Sequence, residues 1–95
     1  MNKPEVTLLK KGAVFKILQV TGEKDMQMPK HISTKEAVIV IAEGNAIIEI
    51  ASVEHLLKKG DSMIIPAAVP HSLLIMTSLK AIVTMPVESE IEFIN

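Results

Sequence analysis

The side chains of this sequence that are most able to do chemistry are those of His31, Glu36 and His71. Glu36 begins the most apolar stretch of the chain, and its strand face could continue inward through Val38 and Val40. Its carboxylate would then lie in an apolar interior, where an unpaired charge is very costly. A cation, or a proton that neutralises the carboxylate, is therefore implied beside Glu36.

The two histidines also stand at positions that predict inward-facing side chains. His31 and Ser33 point to the same face if their segment is extended. His71 follows a loop that contains two prolines and opens a strand, where it would share an inward face with Leu73. The sequence thus predicts that both imidazoles face the interior.

Short segments rich in Val and Ile supply the elements that would position these residues. Turn residues interrupt them roughly every ten residues, a spacing typical of a β-sandwich or barrel. The pattern predicts an all-β fold with strands over residues 13–21, 36–42, 46–51, 62–65, 71–76 and 80–85. Residues 4–12 stay unassigned, and residues 52–60 could form a short helix between a Ser cap and a terminal Gly.

Composition restricts the function classes. The 95 residues suit one domain, 1–95, and ten Lys without any Arg give no basic field for nucleic acid and no guanidinium fork for phosphate. The chain has no Cys, no membrane-spanning run and no apolar signal segment after its first residues, so we expect a cytoplasmic protein that does not bind membranes.

The apolar content points to the kinds of partner. With 48% hydrophobic residues in so small a chain, we expect a homodimer. Trp and Tyr are absent and Phe occurs only twice, so a pocket would lack aromatic platforms for stacking sugars or bases. A small, largely aliphatic ligand is therefore expected.

Two motifs resemble those of the cupin superfamily in its small single-domain form. The first reads His31-x-Ser33-x-x-Glu36, with Gly44 closing the following strand, and the second reads Gly60, Pro66 and His71 at the family's usual separations. The resemblance implies a double-stranded β-helix, or jelly-roll, barrel of about six to eight strands with its ligands inside near the mouth.

The resemblance also implies a site. His31, Glu36 and His71 match the family's metal ligands, and two imidazoles with one carboxylate suit Fe, Mn, Ni or Zn. Ser33 stands where the family usually has a second His, so it would act through hydrogen bonds or mark a decayed site. We expect Ser33 beside the metal, with a pocket lined by Met28, Leu73 and Met85.

Several readings of this site stay open at the level of sequence. Glu36 could instead accept a hydrogen bond from His31 or His71 without any metal. The barrel could be a metal-dependent enzyme, a ligand-binding module without a metal, or a structural dimer whose site has decayed. No catalytic residue can be named, because Glu36 would be occupied by the metal in the enzyme reading and the other acids are expected on the surface.

Overall fold

The computed structural model describes residues 3–94, and within this range it contains ten β-strands and no helix. Met1, Asn2 and Asn95, the ends of the predicted 1–95 domain, lie outside the described residues. The strands are β1 (Glu5–Lys11), β2 (Phe15–Gly22), β3 (Gln27–Ser33), β4 (Ala37–Glu43), β5 (Ala46–Ile50), β6 (Val53–Leu57), β7 (Ser62–Ile65), β8 (His71–Ile75), β9 (Leu79–Pro86) and β10 (Ile91–Phe93).

The ten strands form two antiparallel sheets of five strands each. Sheet A has the order β1-β2-β9-β4-β7, and sheet B has the order β10-β3-β8-β5-β6. Neighbours in a sheet are mostly distant in sequence, as in a jelly roll, where the chain crosses repeatedly between the two sheets. The predicted all-β jelly-roll barrel is confirmed.

The core lies between the sheets and follows from strict alternation along the strands. In β9, Leu79, Ala81, Val83 and Met85 are buried, while the residues between them are only half-buried. The same alternation buries His71, Leu73 and Ile75 in β8, because successive side chains of a strand point to opposite faces.

All six predicted strands are present, with ends that shift by at most two residues, and residues 5–11 form β1. The alternative of a short helix over residues 52–60 is wrong, because β6 pairs with β5 there. Ala51 and Ser52 both have positive φ, at 51° and 68°, and Ile50 lies opposite Val53. Two such residues form a tight turn whose twist matches a hairpin, so the strand returns immediately.

The face predicted for β4 is wrong. Ala37, Ile39 and Ile41 point into the core, whereas Val38 and Val40 are 37% and 39% exposed on the outer face of sheet A. The stretch is apolar at every position, so periodicity could not tell which alternate set is buried. Because β4 begins at Ala37, the register that buries Ala37 turns its neighbours outward.

An irregularity in β3 sets the direction of the residues before His31. Met28 lies opposite Leu73 and His31 opposite His71, with a register shift between them. A bulge of this kind changes the alternation of the strand. As a result Met28, His31 and Ser33 are all buried although 28 and 31 differ in parity. The described part of the chain has no helix that is long and apolar enough to cross a membrane.

Candidate functional site

A pocket with a volume of about 60 Å³ lies between the two sheets. Both sheets contribute to it, and three polar side chains, those of His31, Ser33 and His71, stand among aliphatic and methionine side chains. The apolar lining consists of Val6, Leu18, Val20, Met28, Ile39, Ile48, Ile65, Leu73, Val83, Met85 and Ile91. The interior thus combines an apolar wall with one small polar cluster.

The structure brings together six of the residues expected at the site. The two histidines, Ser33 and the three expected pocket residues Met28, Leu73 and Met85 all line this pocket. His31 and His71 lie directly opposite each other on β3 and β8, with ring centroids 4.2 Å apart and ring planes at 64°. The polar cluster is therefore built entirely on sheet B and faces sheet A across the pocket.

A backbone carbonyl orients each imidazole. Nδ1 of His31 lies 2.6 Å from the carbonyl oxygen of Pro29, and Nδ1 of His71 lies 3.0 Å from that of Val69. A carbonyl oxygen can only accept a hydrogen bond, so Nδ1 donates in both rings. In the neutral ring Nε2 then carries the lone pair and acts as an acceptor.

The Nε2 atoms and the hydroxyl of Ser33 keep contact with the open pocket. Within residues 3–94, no buried side-chain nitrogen or oxygen lacks a hydrogen-bond partner. The side-chain hydrogen bonds of the two rings in that range run through Nδ1 alone, and the Ser33 hydroxyl makes none. These polar atoms must therefore be reached by solvent or by a ligand.

The surroundings of His71 favour its neutral form. Burial lowers the pKa of His71 below its ordinary value of 6.5, and the neighbouring His31 lowers it further. The hydrogen bond to the carbonyl of Val69 opposes both effects because it stabilises the protonated ring. The net direction is downward, so His71 presents a neutral imidazole at neutral pH.

A comparison of the sequence with known protein families identifies the family. The model of the cupin domain matches residues 18–86, which cover most of the chain and contain both histidines. The chain belongs to the cupin-domain family. No curated protein sequence matches this cupin.

Solved structures agree on the fold. An RmlC-like cupin from Shewanella frigidimarina superimposes with a TM-score of 0.78 at 21% identity, covering 85% of this chain and 73% of that one. The polyketide cyclase RemF from Streptomyces resistomycificus gives 0.85 at 16% identity, with 98% and 72% covered. A salicylate 1,2-dioxygenase from Pseudaminobacter salicylatoxidans gives 0.72 at 18% identity, with 75% and 20% covered. At these identities the likeness shows the cupin fold alone.

The metal-ligand set expected of this cupin is not assembled. Glu36 is exposed at the start of β4 and does not line the pocket. In the part of the chain that the structure describes, no three His, Asp or Glu side chains are grouped closely enough to hold a metal ion. His31, Glu36 and His71 therefore do not form a metal-ligand set, because Glu36 is exposed outside the pocket that the two imidazoles line.

The sequence analysis missed one residue beside the site, Phe93. It lies opposite His31 on β10, with ring centroids 5.3 Å apart, and the Nζ atom of Lys3 lies 5.5 Å from its centroid. Phe93 is half exposed and packs beside the His31 imidazole. As one of only two aromatic residues in this cupin, Phe93 could have been singled out by its rarity.

Proposed function

We propose that this cupin is a binding module for a small, largely aliphatic molecule and that it needs no metal ion. The observation that supports this is the pocket itself, with an apolar wall from both sheets and polar atoms confined to His31, Ser33 and His71. Pockets that combine an apolar lining with a few convergent polar groups are typical ligand sites. The apolar wall would bind the body of the ligand, and the polar cluster would fix its orientation.

The size of the pocket limits the ligand. The pocket volume of 60 Å³ holds about four to six non-hydrogen atoms, at roughly 10–15 Å³ for each water-sized sphere. A longer ligand would extend past Val6 and Ile91, which line the pocket from the edge strands β1 and β10. Because Ser33 lies opposite Ile91 on β10, we expect the polar end of the ligand beside that edge and its apolar body among the aliphatic residues between the two sheets.

Methionine methyl groups offer a direct test of binding. With carbon-13 methyl-labelled Met, we expect small aliphatic compounds to shift the signals of Met28 and Met85 saturably and to leave exposed Met76 unchanged. The signal is independent of the missing Trp and Tyr. A broad set of small aliphatic compounds that shifts neither pocket methionine would contradict the proposed function.

The same methionine signals, together with elemental analysis, test whether ligand binding needs a metal ion. A two-imidazole metal site is the competing reading, and the open Nε2 atoms of His31 and His71 favour it, since imidazole nitrogen binds Fe, Mn, Ni and Zn. We expect untagged protein to carry little bound metal by elemental analysis and to bind its ligand equally well after chelation. About one transition-metal ion per chain, with ligand binding lost on chelation, would establish the competing reading instead.

We also propose that the protein forms a homodimer through the outer face of sheet A. Val38, Val40 and Ile64 are exposed there on neighbouring strands, with Val38 opposite Ile64. A contiguous aliphatic face on a small domain marks an interaction surface. A second copy of the chain offers the same apolar face, as a two-fold interface requires.

A further inference from the structure

We propose that the pocket selects an uncharged ligand with a hydroxyl group, a short aliphatic alcohol, over the carboxylate, ammonium or ketone of the same body. This inference rests on the proposed binding function and names the chemical class of the ligand. It is carried by the hydrogen-bonding directions of His31, His71 and Ser33 and by the absence of charge from the described pocket lining.

The lining excludes a charged head group. Within residues 3–94, no Lys, Asp or Glu side chain lines the pocket. A carboxylate or an ammonium would leave water without a counter-ion, which is costly in an apolar site. An uncharged head group avoids that cost.

The fixed orientation of the imidazoles requires a ligand that donates a hydrogen bond. Because Nδ1 of each ring donates to a backbone carbonyl, each neutral ring offers an acceptor at Nε2. The opposite tautomer would set the Nδ1 lone pair of His31 against the carbonyl oxygen of Pro29 at 2.6 Å, which is repulsive. A ketone would bring only acceptor lone pairs to these nitrogens, whereas a hydroxyl group donates to one of them.

The hydroxyl group of Ser33 is also available to a ligand. It lines the same pocket and makes no hydrogen bond within the described residues. A serine hydroxyl can donate as well as accept. An alcohol could donate to an imidazole Nε2 and accept from Ser33 at the same time. A ketone could only accept from Ser33, and an alkane would satisfy neither group.

The test compares four compounds that share one branched five-carbon skeleton, at about pH 8, where His71 is neutral and carboxylates are ionised. They are 3-methyl-1-butanol, 3-methylbutanoate, 3-methylbutylamine and 3-methyl-2-butanone, each titrated against labelled Met28 and Met85. We expect the alcohol to bind about ten-fold more tightly than the ketone, as the loss of one satisfied hydrogen bond implies, and at least ten-fold more tightly than the two ions, which must also leave water without a counter-ion.

Two serine variants provide matched controls. Ser33→Ala should weaken alcohol binding several-fold, whereas Ser72→Ala should leave it unchanged, because Ser72 lies beside His71 on the opposite face of β8 and lines a groove outside the barrel. If the carboxylate or the amine binds more tightly than the alcohol, the pocket does not select an uncharged head group. If the ketone binds as tightly as the alcohol, the ligand does not need to donate a hydrogen bond to an imidazole. If none of the four binds, while other aliphatic compounds shift the pocket methionines, only this inference fails; if nothing binds, the proposed function fails.

Discussion

Each imidazole at the site is oriented by the carbonyl oxygen of a residue two positions earlier, Pro29 for His31 and Val69 for His71. The orientation is therefore a local property of the chain and does not depend on a neighbouring carboxylate. Holding Nδ1 in this way presents Nε2 to a ligand, as second partners do for histidines in many sites. Both rings can therefore accept a hydrogen bond at Nε2 without the help of Glu36, which faces solvent.

Stability should depend on pH through His71. Since its pKa is lowered on folding, the unfolded chain binds this proton more readily than the folded one. The stability contributed by the neutral ring is fully present above the unfolded value of about 6.5 and is lost as the pH falls through the folded pKa. We expect the urea midpoint, followed by circular dichroism, to decrease over this window.

A histidine variant isolates this effect. His71→Asn keeps an N–H that can donate to the carbonyl of Val69 but does not titrate, so its urea midpoint should fall less on acidification than that of the unchanged protein. His55→Gln, on β6 and outside the pocket, should keep the full decrease. A decrease of the same size in the His71 variant would show that other groups cause it.

Replacement of Glu36 tests the corrected placement of that residue. Because Glu36 is exposed and does not line the pocket, Glu36→Gln should change the free energy of unfolding by less than about 0.5 kcal/mol. Ligand affinity and metal content should stay unchanged as well. A loss of bound metal in this variant, with the fold intact, would restore Glu36 as a ligand.

At the level of strands, prediction of the buried face from sequence succeeded for β8 and failed for β4. The inward face of β8 followed from the alternation of His71, Leu73 and Ile75 with their neighbours. The face of β4 could not be predicted because both faces are apolar, and the error placed Glu36 in the core. The turn at Ala51 and Ser52 was missed because it lacks the Asn-Gly or Gly-rich sequence that marks tight hairpins.

The turn between β4 and β5 depends on glycine in a way that a variant can measure. Gly44 has φ of +79°, and a Cβ atom there would collide with the carbonyl oxygen of Ser78. Gly60 has φ of +91° but no atom within 4 Å of a Cβ position. Gly60→Ala should therefore cost about 1–2 kcal/mol for the left-handed conformation alone.

Gly44→Ala should cost more than that, about 3 kcal/mol or above, since the backbone of residue 78 must also move. Urea unfolding of both variants, compared with the unchanged protein, measures the difference. Equal decreases in the free energy of unfolding of the two variants would mean that the backbone at Ser78 can move without an energetic cost.

At the scale of the whole molecule, the barrel leaves its pocket open toward two edge strands. β1 and β10 are the outermost strands of their sheets, and all their side chains are exposed although Val6 and Ile91 line the pocket. Away from these two edge strands, buried aliphatic residues between the sheets close the core. Ligand access is therefore expected at the β1 and β10 side, away from the outer face of sheet A.

The proposed dimer uses that outer face, which leaves the pocket edge free. Five strands at about 4.8 Å spacing and strands of about seven residues give a face of roughly 24 by 24 Å. Two such faces would bury on the order of 1,000 Å² in total, the lower limit for a specific interface. We therefore expect a dimer by sedimentation equilibrium at micromolar concentration.

A charge placed on this face should separate the two copies. Val40 lies on β4, inside sheet A, so Val40→Lys would place two ammonium groups within the two-fold interface and give a monomer. Val53→Lys, at a more exposed apolar position on sheet B, should stay a dimer. If the Val53 variant alone dissociates, the interface lies on sheet B, and a monomeric unchanged protein would exclude both faces. Because neither residue lines the pocket, both variants should retain ligand binding whatever their assembly.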